Sequence, residues 1–270
     1  MCNVKLIHGD CLEQMDKLIE KGIKFDAIIT DPPYGTTACR WDEIIPFEEM
    51  WLRLKQLRYN YTPIILFGSE PFSSKLRCSN LSEFRYDWIW NKKKPSNFQQ
   101  MNFQNGRIHE IISVFGEGKC VYVKNKNNLS YYPQKEKRDK PKVVNKTFYG
   151  NKNATLSEGH TIKDLGHKEY NYRLPYSIIE FSNANIKSKI HPTEKPVELL
   201  KYLIKTYTKE NELILDFTMG SASTGIACID TNRNFIGIEK DDKYFDISCD
   251  RINNYIKDNN LENVNVEIVK

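Results

Sequence analysis

The sequence predicts an α/β chain in which a mostly parallel sheet carries helices on both faces and is interrupted by a basic insertion. Three observations carry that expectation. Short apolar runs rich in Ile, Val and aromatic residues alternate with helical patterns in the first part of the chain, and the same alternation returns near the end. Between them lies a Lys-, Asn- and Tyr-rich stretch with no sustained period. The length, 270 residues, suits one large domain with an insertion, and 40% hydrophobic with 28% charged residues suits a sizeable core.

Taken in order, Val4-Lys5-Leu6-Ile7 reads as a strand, and Leu12, Met15, Leu18 and Ile19 recur at helical spacing up to Gly22. Phe25 to Thr30 is a second strand, followed by a helix over about Pro46 to Arg58, a strand at Ile64 to Phe67, and a helix starting near Pro71. Tyr86 to Trp90 and Glu110 to Phe115 are two further strands. The periodicity resumes with a helix from Val197 to Tyr207, strand Leu213-Ile214-Leu215, helix Thr224 to Asp230, strand Phe235 to Ile238 and a helix from Asp241 to about Lys257. Val264 to Val269 fits an edge strand. The expected division is a first catalytic half at 1–117, an insertion at 118–189 and a second half at 190–270, the two halves forming one domain.

Charge follows the same division. The net charge of +5 resolves into +9 between Lys119 and Lys195 and −4 elsewhere, a slightly acidic body with a basic middle. Tyr122, Tyr131, Tyr132, Phe148, Tyr149, Tyr170, Tyr172 and Tyr176 predict that the insertion folds around a small core of its own. The longest apolar runs fall far short of the ~20 residues that span a bilayer, and the first residues lack the pattern of a secretory signal. A cytoplasmic address, bacterial or phage-encoded, is therefore expected. Seven cysteines without Cys-x-x-Cys or zinc spacing read as reduced and structural, and no metal is expected.

Four segments carry chemistry. Asp31-Pro32-Pro33-Tyr34 directly follows the apolar strand, where ligands bind in open α/β sheets. Its prolines fix the backbone and free carbonyls to accept hydrogen bonds, Asp31 adds a charged acceptor, and Tyr34 a flat face for stacking. That set suits the exocyclic amine of a planar base; a plain turn after a strand is the alternative. Asp216-Phe217-Thr218-Met219-Gly220-Ser221-Ala222 joins a strand to a helix through small residues, and Glu239 ends the next strand, where an acid can hold ribose hydroxyls. Together these describe a nucleoside-bearing cofactor; plain helix–strand packing is the alternative. His8-Gly9-Asp10-Cys11 either flanks the cofactor base or is a turn in which Asp10 caps a helix. His191-Pro192-Thr193-Glu194-Lys195-Pro196 precedes a helix whose first position suits Pro196, with Lys195 either in the site or merely solvated.

With all four present in this order, the chain resembles the S-adenosylmethionine-dependent DNA amino-methyltransferases, N6-adenine and N4-cytosine, in the permuted arrangement called the beta group. The resemblance covers nearly the whole chain apart from the basic middle. It implies a Rossmann-like methyltransferase fold with a mostly parallel seven-stranded sheet and a target-recognition insertion. Asp31, Pro32, Pro33 and Tyr34 would be catalytic. Asp10, Cys11, Asp31, His191, Thr193, Lys195, Asp216, Phe217, Gly220, Ser221, Ala222, Thr224 and Glu239 would surround S-adenosylmethionine. The sequence departs from the family at Ala222, where a last Gly is usual, and at Phe217-Thr218, where Pro-Phe is usual; the Ala222 methyl would crowd the approach to the cofactor, with binding still expected provided the backbone there needs no positive φ.

Adenine N6 is the expected acceptor, because family members acting on cytosine more often carry Ser in place of Asp31. Asp31 and the Pro32 carbonyl would each accept an amino hydrogen from a base flipped out of double-stranded DNA against Tyr34. Lys92, Lys93, Lys94, Lys135, Lys137, Arg138, Lys140 and Lys142 are the expected phosphate contacts. The resemblance is also compatible with a homodimer and a cognate restriction endonuclease. Competing readings are an N4-cytosine enzyme, an amide methyltransferase of protein or free glutamine, a nucleotide-binding dehydrogenase, and a non-catalytic DNA-binding module with a degenerate pocket. The basic insertion opposes the second, and the dehydrogenase leaves Asp31-Pro32-Pro33-Tyr34 unexplained.

Overall fold

The alternation of side chains along a few short strands decides the architecture. A computed structural model describes residues 1–36, 42–121, 127–148, 163–182 and 194–270. The chain runs β1 (Cys2–His8), α1 (Cys11–Glu20), β2 (Ala27–Thr30), α2 (Phe47–Gln56), β3 (Ile64–Gly68), α3 (Phe72–Ser79), β4 (Phe84–Asn91) and β5 (His109–Phe115). After β6 (Glu136–Phe148), β7 (Lys163–Arg173) and β8 (Ile178–Glu180) come α4 (Val197–Tyr207), β9 (Leu213–Asp216), α5 (Ser223–Asp230), β10 (Asn234–Glu239), α6 (Asp242–Asp258) and β11 (Val264–Val269).

Nine strands form one sheet in the order β11-β1-β10-β9-β2-β3-β5-β4-β8. Every neighbouring pair is parallel except those made by β5, which runs antiparallel to both β3 and β4. The expected α/β class holds, with two strands beyond the expected seven. β11 is the anticipated edge strand. The other, β8, has only three residues, too few for periodicity to mark.

β2 and β3 are buried on both faces, so each reads as a continuous apolar run. Ile65 and Phe67 point to the core shared with α4, α5 and α6, while Ile64 and Leu66 point to the core shared with α1, α2 and α3. On the first face Tyr207 of α4 takes a hydrogen bond from Trp88 Nε1 (2.6 Å) and shares another with the Tyr86 hydroxyl (3.0 Å), fixing α4 to β4. Among the described residues no helix is long and apolar enough to cross a membrane, and Cys2, Cys11, Cys78, Cys120, Cys228 and Cys249 are free thiols.

The chain divides into two compact units, 1–132 with 177–270, and 133–176. The first includes the two ends of the described part of the expected insertion: Leu129 is buried with the sheet, and β8 pairs with β4. The second contains the antiparallel hairpin β6–β7, where the sequence showed no period. The expected aromatic core is not found there. Among residues 133–144 and 168–176 none is buried, and Tyr170, Tyr172 and Tyr176 are exposed. A two-stranded hairpin has no second layer to bury a face against. Tyr131 instead faces Tyr207 of the larger unit, with ring centroids 6.1 Å apart. Tyr122, the Phe148 side chain and Tyr149 lie outside the described residues.

Candidate active site

Four adjacent parallel strands each deliver one acid to the same end of the sheet: Asp10 after β1, Glu239 at the end of β10, Asp216 at the end of β9 and Asp31 after β2. All four line one cleft of about 1250 Å³. That exceeds the ~300–1,000 Å³ of a site for one small ligand. The register explains the convergence, since Ile28 of β2 lies opposite Leu215 of β9, and His8 of β1 opposite Glu239 of β10. Phe217 N–H donates to Thr30 Oγ1 (3.1 Å) and Thr218 Oγ1 to the Asp31 carbonyl (3.0 Å), so the segment after β2 and the turn after β9 are joined directly.

The Asp31 segment is held from behind by Asp42, which accepts from the backbone N–H groups of Tyr34 (2.7 Å), Gly35 (2.9 Å) and Thr36 (2.8 Å). The Tyr34 ring stacks on Phe72 with centroids 5.0 Å apart. Its hydroxyl donates to Asp31 Oδ1 at 2.5 Å. Burial, with the Asp31 and Glu110 charges, lifts the Tyr34 phenol well above its ordinary value, which keeps it a donor.

The second oxygen of Asp31 accepts from Lys195 Nζ. Lys195 also lies 3.5 Å from Glu110 Oε2, and the other Glu110 oxygen accepts from Lys92 Nζ at 3.0 Å. Lys92, Glu110, Lys195 and Asp31 therefore form a chain of alternating charge. Burial raises Asp31 above the usual carboxylate range against the pull of Lys195, with Glu110 adding to the rise. Burial acts on Glu110 in the same sense, but Lys195 and Lys92 outweigh it and hold that carboxyl low. Lys195 is itself held above its ordinary value because Asp31 and Glu110 outweigh its burial.

In the turn after β9, Asp216 is buried and accepts from Thr224 Oγ1 (2.6 Å) and Thr218 N–H (3.2 Å). Burial pushes it up to about 7. Glu239 accepts Gly220 N–H on one oxygen (2.9 Å) and Asp241 N–H on the other (2.8 Å), which fixes its carboxylate and leaves lone pairs free toward the cleft. Burial raises Glu239 as well. Arg251 of α6 grips the turn, donating to Ser221 O (2.9 Å), Ser221 Oγ (2.9 Å) and Ser223 Oγ (3.0 Å), while its other nitrogen reaches the buried Glu194 at 2.5 Å.

Ala222 is the one expected cofactor residue among those described that does not line the cleft. Its methyl is fully buried in the core. The residue does adopt the left-handed conformation (φ 57°, ψ 34°), which costs an L-residue about 1–2 kcal/mol and is free to glycine. Asp10 caps α1, accepting from Leu12 N–H (2.9 Å), and also lines the cleft. Cys11, Pro32, Pro33, Phe217, Gly220, Ser221 and Thr224 line the cleft as expected, whereas His191 and Thr193 lie outside the described residues.

Among the expected phosphate contacts, Lys92 does not sit on the surface. It is 5% exposed and engaged by Glu110, in a wall of the cleft. Lys93 pairs with Glu180 (3.1 Å) and Lys94 is exposed at the cleft. Lys135, Lys137, Arg138, Lys140 and Lys142 belong to the 133–176 unit. Asp42, Glu110 and Arg251 were not singled out from the sequence. Glu110 alone left a trace, as an acid heading an otherwise apolar strand.

A doubly covered, nearly parallel sheet with an acidic cleft at its carboxyl ends, roomier than one small ligand needs, has the build of a nucleotide-binding α/β enzyme. Residues 25–250 match the model of the N6/N4 methyltransferase family, described as DNA methylase, and the chain belongs to that family. It is similar to the Type II methyltransferase M1.MboII of Moraxella bovis, 25% identical over 263 residues that cover 90% of this chain and 95% of the relative. The Type II methyltransferase M.HinfI of Haemophilus influenzae is 27% identical, over 97% of this chain and 72% of its own. Two solved structures share the fold. M1.HpyAVI in complex with SAM has a TM-score of 0.59 at 24% identity, over 92% of this chain and 99% of its own. The cytosine-N4-specific PvuII DNA methyltransferase has 0.60 at 14%, over 98% and 95%.

Proposed function

We propose that the protein is a site-specific methyltransferase that moves a methyl group from S-adenosylmethionine to the N6 amino group of adenine in double-stranded DNA. The observation that carries this reading is the Asp31 carboxylate, held by Tyr34 and Lys195, in a segment joined through Thr218 to the turn whose Gly220 N–H donates to Glu239. Glu239, anchored by two backbone N–H groups, would take the ribose hydroxyls, and Asp10 would accept from the adenine amino group of the cofactor. S-adenosylmethionine supplies an electrophilic methyl on a sulfonium; as the N–C bond forms the C–S bond breaks and its electron pair stays on sulfur.

The residues of this chain prepare the acceptor. An aromatic amine is a weak nucleophile because its lone pair is delocalised into the ring. Asp31 accepts one of its hydrogens, with the Pro32 carbonyl as second acceptor, and so favours a pyramidal nitrogen. Positive charge grows on that nitrogen during transfer, and the Asp31 carboxylate stabilises it until the methylated nitrogen releases a proton to solvent. Holding the reacting atoms ~3–3.5 Å apart supplies much of the remaining acceleration. The target base enters from a flipped-out nucleotide, and the Lys-rich 133–176 unit supplies phosphate contacts. The relatives' printed class, Type II methyltransferase, supports a cognate restriction endonuclease as a partner.

The N4 amino group of cytosine is the second reading, favoured by the fold shared with the PvuII enzyme. One experiment separates the two. The protein is incubated with S-adenosylmethionine and mixed-sequence duplex DNA, the DNA is digested to nucleosides, and methylated adenine and cytosine are resolved by mass. Methylated adenine is expected, and it should vanish with Asp31→Ala while cofactor binding persists. Methylated cytosine alone would overturn the choice of base, and neither product, with cofactor bound, would overturn the enzyme reading.

A further inference from the structure

Between β4 and β5 the chain leaves the sheet for residues 92–108 and exposes three large apolar side chains within six positions: Phe98 (78%), Met101 (45%) and Phe103 (91%). A single exposed apolar residue is ordinary, but a cluster of this kind marks a contact surface. The loop is also built to hold its shape. Asn97 accepts from Arg107 N–H (2.6 Å) and donates to Asn105 O (3.0 Å), Ser96 N–H donates to Arg107 O (3.0 Å), and a turn of 3-10 helix spans Phe98–Gln100. Gln100 O then accepts from Phe103 N–H (2.9 Å) and Gln104 N–H (3.1 Å). Met101 closes over Gly106, where an added Cβ would come within 3.1 Å of Met101 Cε. The two rings are thus held outward by an ordered loop, which lowers the entropy lost when they bind.

The base of the loop belongs to the cleft: Lys94, Pro95, Ser96 and Arg107 line it together with Asp31. From Lys92 to His109 there is no acidic residue, and six Asn or Gln side chains lie between Ser96 and Gly106. Exposed cations beside flat apolar groups complement a phosphate backbone with a base stack behind it, and amide side chains complement base edges. We propose that this loop is a wedge for duplex DNA: Phe98 and Phe103 enter the base stack beside the target and fill the gap it leaves when it turns into the cleft. This inference rests on the reading of the protein as a DNA methyltransferase acting on a flipped base. Aromatic stacking on a base is lost on substitution by Ala, and the corresponding change is on the order of tenfold or more.

The test compares the wild type with the double variant Phe98→Ala/Phe103→Ala, whose positions are exposed and support no core. Modification-sensitive sequencing of DNA methylated by the wild type locates the modified sequence. Single-turnover rates are then measured on a duplex bearing it and on the same duplex with an abasic site opposite the target, where flipping needs no pairing to be broken. The expected result is a loss of about tenfold or more on the paired duplex, less than threefold on the abasic one, and unchanged S-adenosylmethionine binding. Phe98→Trp/Phe103→Trp should keep the rate. A paired-duplex rate within twofold of wild type, or an equal loss on both duplexes, would overturn the wedge. A wild type that methylates no DNA would instead overturn the reading on which it rests.

Discussion

Replacing Lys195 with Met keeps the length of the side chain and removes the ammonium from between Asp31 and Glu110. The proposed transfer needs Asp31 as a carboxylate, and burial already holds that group above its ordinary range. An opposite charge at contact shifts a carboxyl by about 1–3 units, or roughly 1.4–4 kcal/mol. With Lys195 gone, the Glu110 charge remains and acts in the same direction as burial. Asp31 rises further, so the form competent for transfer is reached only at higher pH. The acid limb of the rate profile should therefore move up by about 1–3 pH units, with the rate recovering at alkaline pH. Lys92, Glu110, Tyr34 and Asp216 are the other titratable groups around Asp31, and all remain in the variant. Single-turnover methylation across pH, at saturating cofactor, measures the shift. A profile that overlays the wild type, with only weaker cofactor binding, would refute the argument and return Lys195 to the cofactor wall where the sequence placed it.

Three further outcomes follow from the geometry. Asp216 titrates near 7 when folded, above its ordinary 3.8, so its protonation favours the folded state at low pH and that contribution is lost as pH rises through about 7; relative to Asp216→Asn the wild type should lose up to about 4 kcal/mol over that window, and a difference flat with pH by chemical denaturation would contradict this. Arg251→Met leaves the Glu194 carboxylate buried without its guanidinium and should lower stability by about 3–5 kcal/mol; the double variant with Glu194→Gln should recover much of it, and a double variant as unstable as the single one would place the loss elsewhere. Ala222→Gly relieves about 1–2 kcal/mol of left-handed backbone but loses one buried methyl (~0.8) and gains unfolded-chain entropy (~0.4–1), so the melting midpoint should hardly move. Cofactor affinity should also stay as it is, since the methyl faces the core; tighter binding on calorimetry would show that it crowds the cleft after all.

The helices and longer strands were legible because each carries its own period. The site motifs were legible because chemistry is concentrated in a few adjacent residues, as in Asp31-Pro32-Pro33-Tyr34. Asp42, Glu110 and Arg251 were not, because what they do depends on partners brought close only by the sheet: Arg251 meets Glu194 across 57 positions of sequence. Lys92 misled for the opposite reason. In Lys92-Lys93-Lys94 three equivalent cations read as one solvated run, yet the first turns inward to Glu110. The β6–β7 hairpin escaped notice because its residues 136–144 and 168–173 bury nothing, and without a buried face a strand has no alternation to display.

The sheet also imposes a timetable. β1, from the start of the chain, lies between β10 and β11 from its end, while β8 closes the far edge beside β4. Asp31 and Thr218, joined by a hydrogen bond, are separated by 187 positions. At ~5–20 residues per second of synthesis, the Asp31 segment would wait roughly 10–40 s on the ribosome before the turn that holds it emerges. A nascent chain in that interval holds Asp31 without the Thr218 contact that ties its segment to the turn after β9, so the wall of the cleft between β2 and β9 closes in one step rather than by degrees.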